Sequence, residues 1–581
     1  MKRVLIANRG EIAVRVIRAC ASYGLESVAV YADPDADAPH VRLADQAHCL
    51  EGKTALETYL DIDKILAAAK ATGADAVHPG YGFLAERAEF VSAVEAAGLT
   101  FIGPTAENMA LLGDKVASRH IAAQVGAPLV PGTPDPVESA AEVAAFAQQY
   151  GYPIAIKAAF GGGGRGFKVV NSPDELELRF ESAVSEATSA FGRGECFVER
   201  FVNRPRHVEV QILGDGKGRV VVIGTRDCST QRRHQKVIEE GPAPFLTDDQ
   251  FKRLCQSAHD IGAAVNYRDL GTVEFMLGED GLLSFLEVNT RIQVEHPVTE
   301  MTTGVDLVHR QFMIAEGKGC DDLPEVMPAT GHAFQFRINA EDAGRGFLPQ
   351  AGDIGRCDMP GGPHVRVDAG VTTGGSVPPE FDSMIAKVVV WGKDREDAVR
   401  RSRQALKETV IEGIPTLVPF HQRMLQEPGF VAATTADFTV HTNWIETECA
   451  WLDELALPLP PGVNLKKVVR EWFEIDGRWV RVGFPASLIG VGGGAPRAAA
   501  AAGGDDEEAA IPAGAGLATM NGVLGRWLVE SGTAIEAGTQ IGVLEAMKME
   551  NPIVAERGGK FTQIVAEGTA VKDGQPIATI V

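Results

Sequence analysis

The chain is 581 residues long, 45% hydrophobic and 23% charged, enough for about three to five domains with cores of their own. Its formal net charge of −23 disfavours non-specific binding to nucleic acid or anionic membrane, so an anionic substrate must be caught by a local basic cluster. Eight scattered cysteines without a CxxC pair argue against a disulfide framework or zinc site, and a charged N-terminus with no run near ~18 apolar residues points to a soluble cytoplasmic protein.

From the N-terminus, "RVLIAN" reads as a strand, "EIAVRVIRACASYG" as an amphipathic helix ending at Gly24, and "ESVAVYA", "ADAVHPG" and "TFIGP" as further strands. This is the rhythm of a parallel α/β domain. No GxGxxG follows the first strand, so a dinucleotide site has little support. "YPIAIKAAF" is a strand carrying Lys157, followed by Gly161–Gly164, Arg165 and Gly166. Glycines there let backbone N–H groups approach phosphate oxygens, although a plain flexible loop has the same composition. Residues 205–295 and 330–390 are rich in strands, and "REDAVRRSRQALKETVIEGI" reads as one long amphipathic helix.

In "FLEVNTRIQVEHPVTEM", residues two apart share a strand face. Glu287, Asn289, Arg291, Gln293 and Glu295 fall on one side, with Leu286, Val288, Ile292 and Val294 on the other. A solvated edge strand with an ion ladder alternates likewise, but Asn and Gln are poor choices there. A straight strand spreads the five over about 26 Å, too far for one pocket. A bend near the proline is therefore expected, with Glu287 and Asn289 in one subsite and Arg291 through Glu295 in another. Glu274, in "GTVEFML", is a third oxygen donor, and such a set suits Mg²⁺ with nucleotide phosphates completing the octahedron. The basic run "RDCSTQRRHQKVIEE" is either a solvated face or a local anion site.

After residue 445 the character changes. "KKVVREWFEIDGRWVRVGF" is a hairpin candidate around Asp476-Gly477. From Gly492 to Gly516, 19 of 25 residues are Ala, Gly or Pro, a linker composition that spans on the order of 25–30 Å as a flexible coil. "GTAIEAGTQI" (532–541) and "GTAVKDGQPI" (568–577) then repeat at an offset of 36, and Leu528-Val529 matches Ile564-Val565. Lys548 lies near the midpoint between the copies, where a pseudo-symmetric β domain crosses from one to the other at an exposed tip.

"IANRGEIAVRVIRA", "HPGYGFLAE", "GDK", "GGGGRG", "RDCSTQRRHQKVIEE", "NTRIQVEHPVTE" and "RINAED" together resemble the biotin carboxylase family across essentially all of residues 1–450. Ala546-Met547-Lys548-Met549 is similar to the tetrapeptide of biotin carboxyl carrier domains, whose lysine is joined to biotin, whereas lipoyl carriers typically show Asp-Lys-Ala. With both parts, the chain resembles the α subunits of biotin-dependent acyl-CoA carboxylases. The resemblance implies a multidomain α/β and α+β fold. Its parts would be a Rossmann-like α/β domain over 1–114, an ATP-grasp core over 115–330 and a C-terminal carboxylase domain over 331–447. A short β-hairpin connector (448–491) and the Ala/Gly-rich linker (492–513) would lead to an all-β barrel-sandwich hybrid of the biotinyl/lipoyl type (514–581). One departure is visible: Ala159-Phe160 stands where the family often has Ser-Gly, leaving four glycines and putting the loop's closing rate in doubt.

The resemblance also implies roles. ATP would be held by Lys115, Lys157, Gly162, Gly163, Gly164, His207, Gln231, His234, Glu274 and Glu287, with Glu199 and Val202 near the adenine. Glu274, Glu287 and Asn289 would bind Mg²⁺ or Mn²⁺. Lys236, Arg291, Gln293 and Val294 would hold bicarbonate, Glu295 would deprotonate it, and Arg337 would stabilise the enolate of biotin. Lys548 would carry the biotin, attached by a biotin protein ligase. About 65 residues between 450 and 516 are too few for a carboxyltransferase, which implies a separate β subunit in a hetero-oligomer, docked in part by the hairpin at 463–484. The rival readings are an α subunit of a two-subunit pyruvate carboxylase, a lipoyl-type carrier fused to another ATP-grasp ligase, and a non-catalytic biotin store.

Overall fold

Val4, Leu5 and Ile6 are buried on both faces, as a strand flanked by helices requires. They form β1 (Arg3–Ile6), which is central in a five-stranded parallel sheet with β2 (Glu26–Tyr31), β3 (Gln46–Cys49), β4 (Ala76–His78) and β5 (Thr100–Phe101). The strand order is β3-β2-β1-β4-β5. Helix α1 (Gly10–Tyr23) stops where Gly24 takes φ 89°, a left-handed conformation that glycine adopts without strain. This computed structural model describes residues 1–159, 166–456, 468–475, 478–485, 515–518, 522–546, 549–571 and 575–580. Gly162, Gly163, Gly164, Phe160, Lys548 and the linker 492–513 lie outside the described residues.

A small antiparallel sheet, in the order β7-β6-β8, joins β6 (Ile154–Ala158), β7 (Lys168–Val170) and β8 (Cys196–Arg200). Its apolar face packs with Val143 and Phe146 of one helix and Ala183 and Ala187 of another. The larger sheet has eight antiparallel strands. It contains β9 (Arg206–Asp215), β10 (Val220–Arg232), β11 (Gln235–Gly241), β12 (Arg268–Leu277), β13 (Leu283–Asn289) and β14 (His332–Asn339). Their order is β13-β12-β9-β10-β11-β14, continued by Met384–Gly392 and Val365–Ala369. The pairing of β11 with β14, Ile238 opposite Phe336, carries one hydrogen-bonded sheet across residue 330. One side of this sheet is filled by Tyr267, Phe275 and Phe285 with Leu254 and Ile261 of the helix Asp248–Ala264. On the other, Val221, Ile223, Leu270 and Ile292 share a core with Ile12 and Val16 of α1, so the first domain is packed directly against the larger sheet.

Two elements differ from the sequence reading. The helix starting at Arg395 ends at Glu408, and Val410–Glu412 forms a strand against Arg356–Asp358. The run Thr409-Val410-Ile411 is β-branched throughout and favours the extended chain over a further helical turn. The polar strand ends earlier than expected, at Asn289: the chain bends at Arg291, and the bend expected near Pro297 is the turn at 294–295 just before it. Pro297 itself opens the helix His296–Thr303, where its missing N–H is harmless.

The C-terminal β domain consists of two four-stranded sheets. Gln540–Ala546 pairs with Met549–Val554 and Gly522–Trp527, and Pro576–Ile580 pairs with Ala515–Leu517 and Gly559–Gln563. The repeated Gly-Thr-Ala segments are exchanged: Ala534 pairs with Lys560 and Ala570 with Val523, each completing the other copy's sheet. Gly532 and Gly568, equivalent in the repeat, both take positive φ, 102° and 79°. None of the eight cysteines is in a disulfide. Among the described residues no helix is long and apolar enough to cross a membrane.

The first domain is also tied to the larger sheet by polar groups. His78 of β4 meets the Gln311 side-chain oxygen at 3.0 Å, and Gln311 donates to Asp269 Oδ1 at 2.7 Å. Burial pushes the Asp269 carboxyl up to about 6, against help from the Leu270 N–H and Gln311. A carboxyl raised above its unfolded value favours the fold below about pH 4 and loses that contribution as pH rises through 6, on the order of 3 kcal/mol. Asp269→Asn is therefore expected to flatten the fall in thermal midpoint between pH 4 and pH 7; an unchanged pH profile would contradict this.

Candidate active site

In β9 the polar residues His207, Glu209 and Gln211 alternate with Val208, Val210 and Ile212. The apolar set enters the core and the polar set faces the site. Neighbouring strands bring their own polar residues to the same face. Glu274 of β12 lies opposite both Glu209 of β9 and Glu287 of β13, and Asn289 lies opposite Thr272. Gln231 lies next to the end of β10, Lys236 in β11 and Arg337 in β14.

At the centre is the ammonium of Lys236. It donates to Glu209 Oε2 at 2.6 Å, Glu274 Oε1 at 3.0 Å and Glu295 Oε1 at 2.6 Å. Burial opposes its charge, but the three carboxylates prevail and hold its pKa well above the usual lysine value. Glu295 also accepts from Arg337 Nη2 at 3.1 Å, while Arg337 Nε donates to Glu239 at 2.5 Å. Burial alone would raise the Glu295 pKa; Lys236 and Arg337 outweigh it and keep the group ionised far below the ordinary range. His207 Nε2 lies 2.9 Å from Glu274 Oε2, and Gln231 bridges His207 Nδ1 and the Cys228 carbonyl.

The two expected subsites are one. Glu274 Oε1 accepts from both Asn289 Nδ2 and Gln293 Nε2, each at 2.8 Å, because the bend at Arg291 brings the second half of the motif back toward the first. Arg291 reaches Asn289 Oδ1 at 3.0 Å and Glu86 Oε2 at 3.0 Å. The Val294 carbonyl accepts from Lys387 Nζ at 3.0 Å. At the other end, Lys115 Nζ stands 3.9 Å from Glu287, Lys157 is ion-paired with Glu199, and Arg119 holds the second Glu199 oxygen at 3.2 Å. Val202 follows β8 and is half-buried. His234 is at the exposed turn between β10 and β11.

The donor set suits a divalent cation. Glu287 is pushed up by burial and then by the facing charge of Glu274, with Lys115 only partly offsetting them. A like-charge oxygen pair beside a carboxamide is the environment that a hard dication relieves.

Several residues of this site carry no motif of their own. Arg226, fully buried, uses all five N–H donors: its Nε meets Glu209, Nη1 meets Gln211 (2.8 Å) and Thr299 (2.9 Å), and Nη2 meets Thr272 (3.2 Å) and Gln293 (2.8 Å). Glu209, Glu239 and Lys387 likewise have no role assigned by sequence. The usable signal is the polar alternation at 207, 209 and 211 in an otherwise apolar strand.

A buried lysine among carboxylates on an eight-stranded antiparallel sheet, beside a smaller three-stranded lobe, is the architecture of an ATP-grasp ligase. The family models agree. Biotin carboxylase N-terminal domain matches residues 1–109, carbamoyl-phosphate synthase L chain ATP binding domain 114–323, and biotin carboxylase C-terminal domain 335–447. The model named biotin-requiring enzyme matches 513–580. The chain is 51% identical to the biotin-dependent acyl-coenzyme A carboxylase alpha3 subunit of Mycobacterium leprae, covering 100% of this chain and 98% of that protein. It is 41% identical to a pyruvate carboxylase subunit of Methanothermobacter thermautotrophicus, covering 84% and 96%. Among solved structures, the biotin carboxylase domain of Hydrogenobacter thermophilus 2-oxoglutarate carboxylase, in complex with MgADP, ADP and bicarbonate, matches with TM-score 0.73 and 41% identity over 79% of this chain and 99% of that one. The chain belongs to the biotin carboxylase family, in the acyl-CoA carboxylase α-subunit form that joins carboxylase and biotin carrier. Its activity is the ATP-dependent carboxylation of biotin.

Because Arg226 satisfies five acceptors with five donors, lysine cannot replace it. Arg226→Lys leaves at least two buried acceptors unmet, at about 1–3 kcal/mol each. A lower thermal midpoint together with a raised KM for bicarbonate is the expected result, and an unchanged midpoint would contradict the network.

Proposed function

We propose that the chain carboxylates a biotin carried on Lys548, using ATP and bicarbonate, as the α subunit of an acyl-CoA carboxylase whose carboxyltransferase is a separate subunit. The observation that supports the chemistry best is Glu295, buried and ionised between Lys236 and Arg337, beside the Glu274–Glu287 pair.

Lys115, Lys157 and His207 line the face where phosphates would sit, with Glu199 and Val202 toward the adenine and Gln231 and His234 beside it. A Mg²⁺ or Mn²⁺ held by Glu274, Glu287 and Asn289 would supply charge neutralisation between the transferring phosphates. Gly162, Gly163 and Gly164 are assigned to phosphate by resemblance alone. Bicarbonate is assigned to Lys236, Arg291, Gln293 and Val294, whose geometry is set by Arg226 on the Gln293 oxygen and Lys387 on the Val294 carbonyl. Without substrate, Lys236 and Arg337 make Glu295 a weak base. An anion that draws Lys236 to itself returns proton affinity to Glu295, so the base strengthens only when its substrate is present. Attached biotin supplies a ureido nitrogen that accepts the carboxyl group. Arg337, braced by Glu239, keeps a permanently charged donor for negative charge on that acceptor.

The acyl-CoA assignment rests on the full-length likeness to the mycobacterial α subunit; the likeness to the Methanothermobacter pyruvate carboxylase keeps pyruvate as a second reading. The hairpin Val468–Ile475 with Arg478–Pro485 supports a partner surface. Its strands pair only with each other among the described residues. An isolated two-stranded hairpin is marginal in water. We assign this hairpin to the carboxyltransferase subunit.

Avidin capture from native lysate tests attachment: capture is expected for the wild type and lost in Lys548→Arg, with the carboxyltransferase in the eluate unless 463–484 is deleted. The eluate should carboxylate an acyl-CoA rather than pyruvate. Glu295→Gln should lower bicarbonate-dependent ATP turnover by about 10²–10⁴-fold; a smaller loss would remove Glu295 as the base.

A further inference from the structure

The turn joining β10 to β11 is a two-residue connection, with Arg232 opposite Gln235. Both residues within it have positive φ, Arg233 at 48° and His234 at 64°. Two-residue hairpins of this kind select Asn-Gly because side chains with a Cβ disfavour that conformation. Here the pair is Arg-His, and an external contact holds it. Glu446 Oε1 accepts from the Arg233 backbone N–H at 2.9 Å and from Arg232 Nη1 at 2.8 Å. The Arg232 guanidinium also lies 5.7 Å from the Phe347 ring.

Glu446 is well placed to act as a fixed post. Its short helix, Trp444–Glu448, is anchored by Trp444 and Ile445 in the core of the C-terminal domain. The adjoining chain is stitched to the start of β9 by the Thr442 N–H to the Pro205 carbonyl at 2.9 Å and by Arg204 to Glu448 at 3.2 Å. Within the turn, the His234 ring centroid lies 6.3 Å, edge to face, from that of Phe167, which follows Gly166. Thus one carboxylate connects the segment that leads out toward the carrier with the turn that carries His234.

We propose that Glu446 is a positioning residue for nucleotide binding: by fixing the Arg233–His234 turn from outside, it presets His234 toward the nucleotide. This rests on the reading of His234 as a nucleotide contact. Glu446 touches no reacting group, and its side chain is 31% exposed, so substitution leaves the core intact.

The test uses the full biotinylated chain and measures bicarbonate-dependent ATP turnover at varied ATP and at varied bicarbonate. Glu446→Ala should raise the KM for ATP about fivefold or more, with kcat, the KM for bicarbonate and the thermal midpoint within about twofold or a degree of wild type. Glu446→Gln, which keeps an acceptor for the Arg233 N–H, should recover most of the loss. An unchanged KM for ATP in Glu446→Ala overturns the proposal, as does a uniform loss of kcat and stability. His234→Ala separates the two claims. If it raises the KM for ATP while Glu446→Ala does not, the nucleotide reading stands and the clasp fails. If neither raises it, the nucleotide assignment of His234 falls as well.

Discussion

The ammonium of Lys236 is the charge around which the carboxylase is arranged. Three buried carboxylates converge on it from β9, β12 and the turn after β13. Removing one member of such a cluster leaves an uncompensated buried charge, about 3–5 kcal/mol in comparable cases. The cluster therefore does two jobs with one set of contacts. It fixes the register of the larger sheet around the site, and it stores a cationic centre that an anionic substrate can share. A chain of charge −23 needs such a centre, because its overall field repels bicarbonate and nucleotide alike.

A second layer holds this cluster in place. Arg226 orients Glu209 and Gln293 together, Lys387 fixes the Val294 carbonyl, and Glu239 braces Arg337. Lys387 is itself paired with Glu11 at 2.9 Å, at the start of α1, so the first domain reaches the turn 291–295 through one buried ion pair. The Asp269–Gln311–His78 chain makes a parallel connection. The first domain contributes little to the site directly, yet its helix and β4 set where the turn 291–295 can lie.

Much of this was legible in the sequence. The parallel α/β start, the glycine run, the paired acidic strands and the 36-residue repeat are local patterns, set by strand and helix periods that a linear reading can count. The Glu287-to-Glu295 alternation is polar on one face as its spacing implies, but it does not continue as a strand. The bend at Arg291 depends on Gln293 reaching Glu274 and Arg226, contacts made by residues 19 and 67 positions away. Arg226 was visible only as one charge in a basic run. Its five acceptors come from strands and a helix that meet only in the folded chain. Likewise, the sheet's passage across residue 330 has no local signal, since each strand reads the same whichever neighbour it finds.

The exchange of the repeated Gly-Thr-Ala strands in the carrier has a consequence for the order of events in the cell. Ala534 has its partner at Lys560, and Ala515–Leu517 has its partner in Pro576–Ile580, so neither half of the repeat closes a sheet alone. A nascent chain that has passed residue 548 but not 559 lacks one strand of each pairing. Neither sheet can close before the second copy is made, so the domain folds as one unit, and a break between the copies would leave both sheets short of strands.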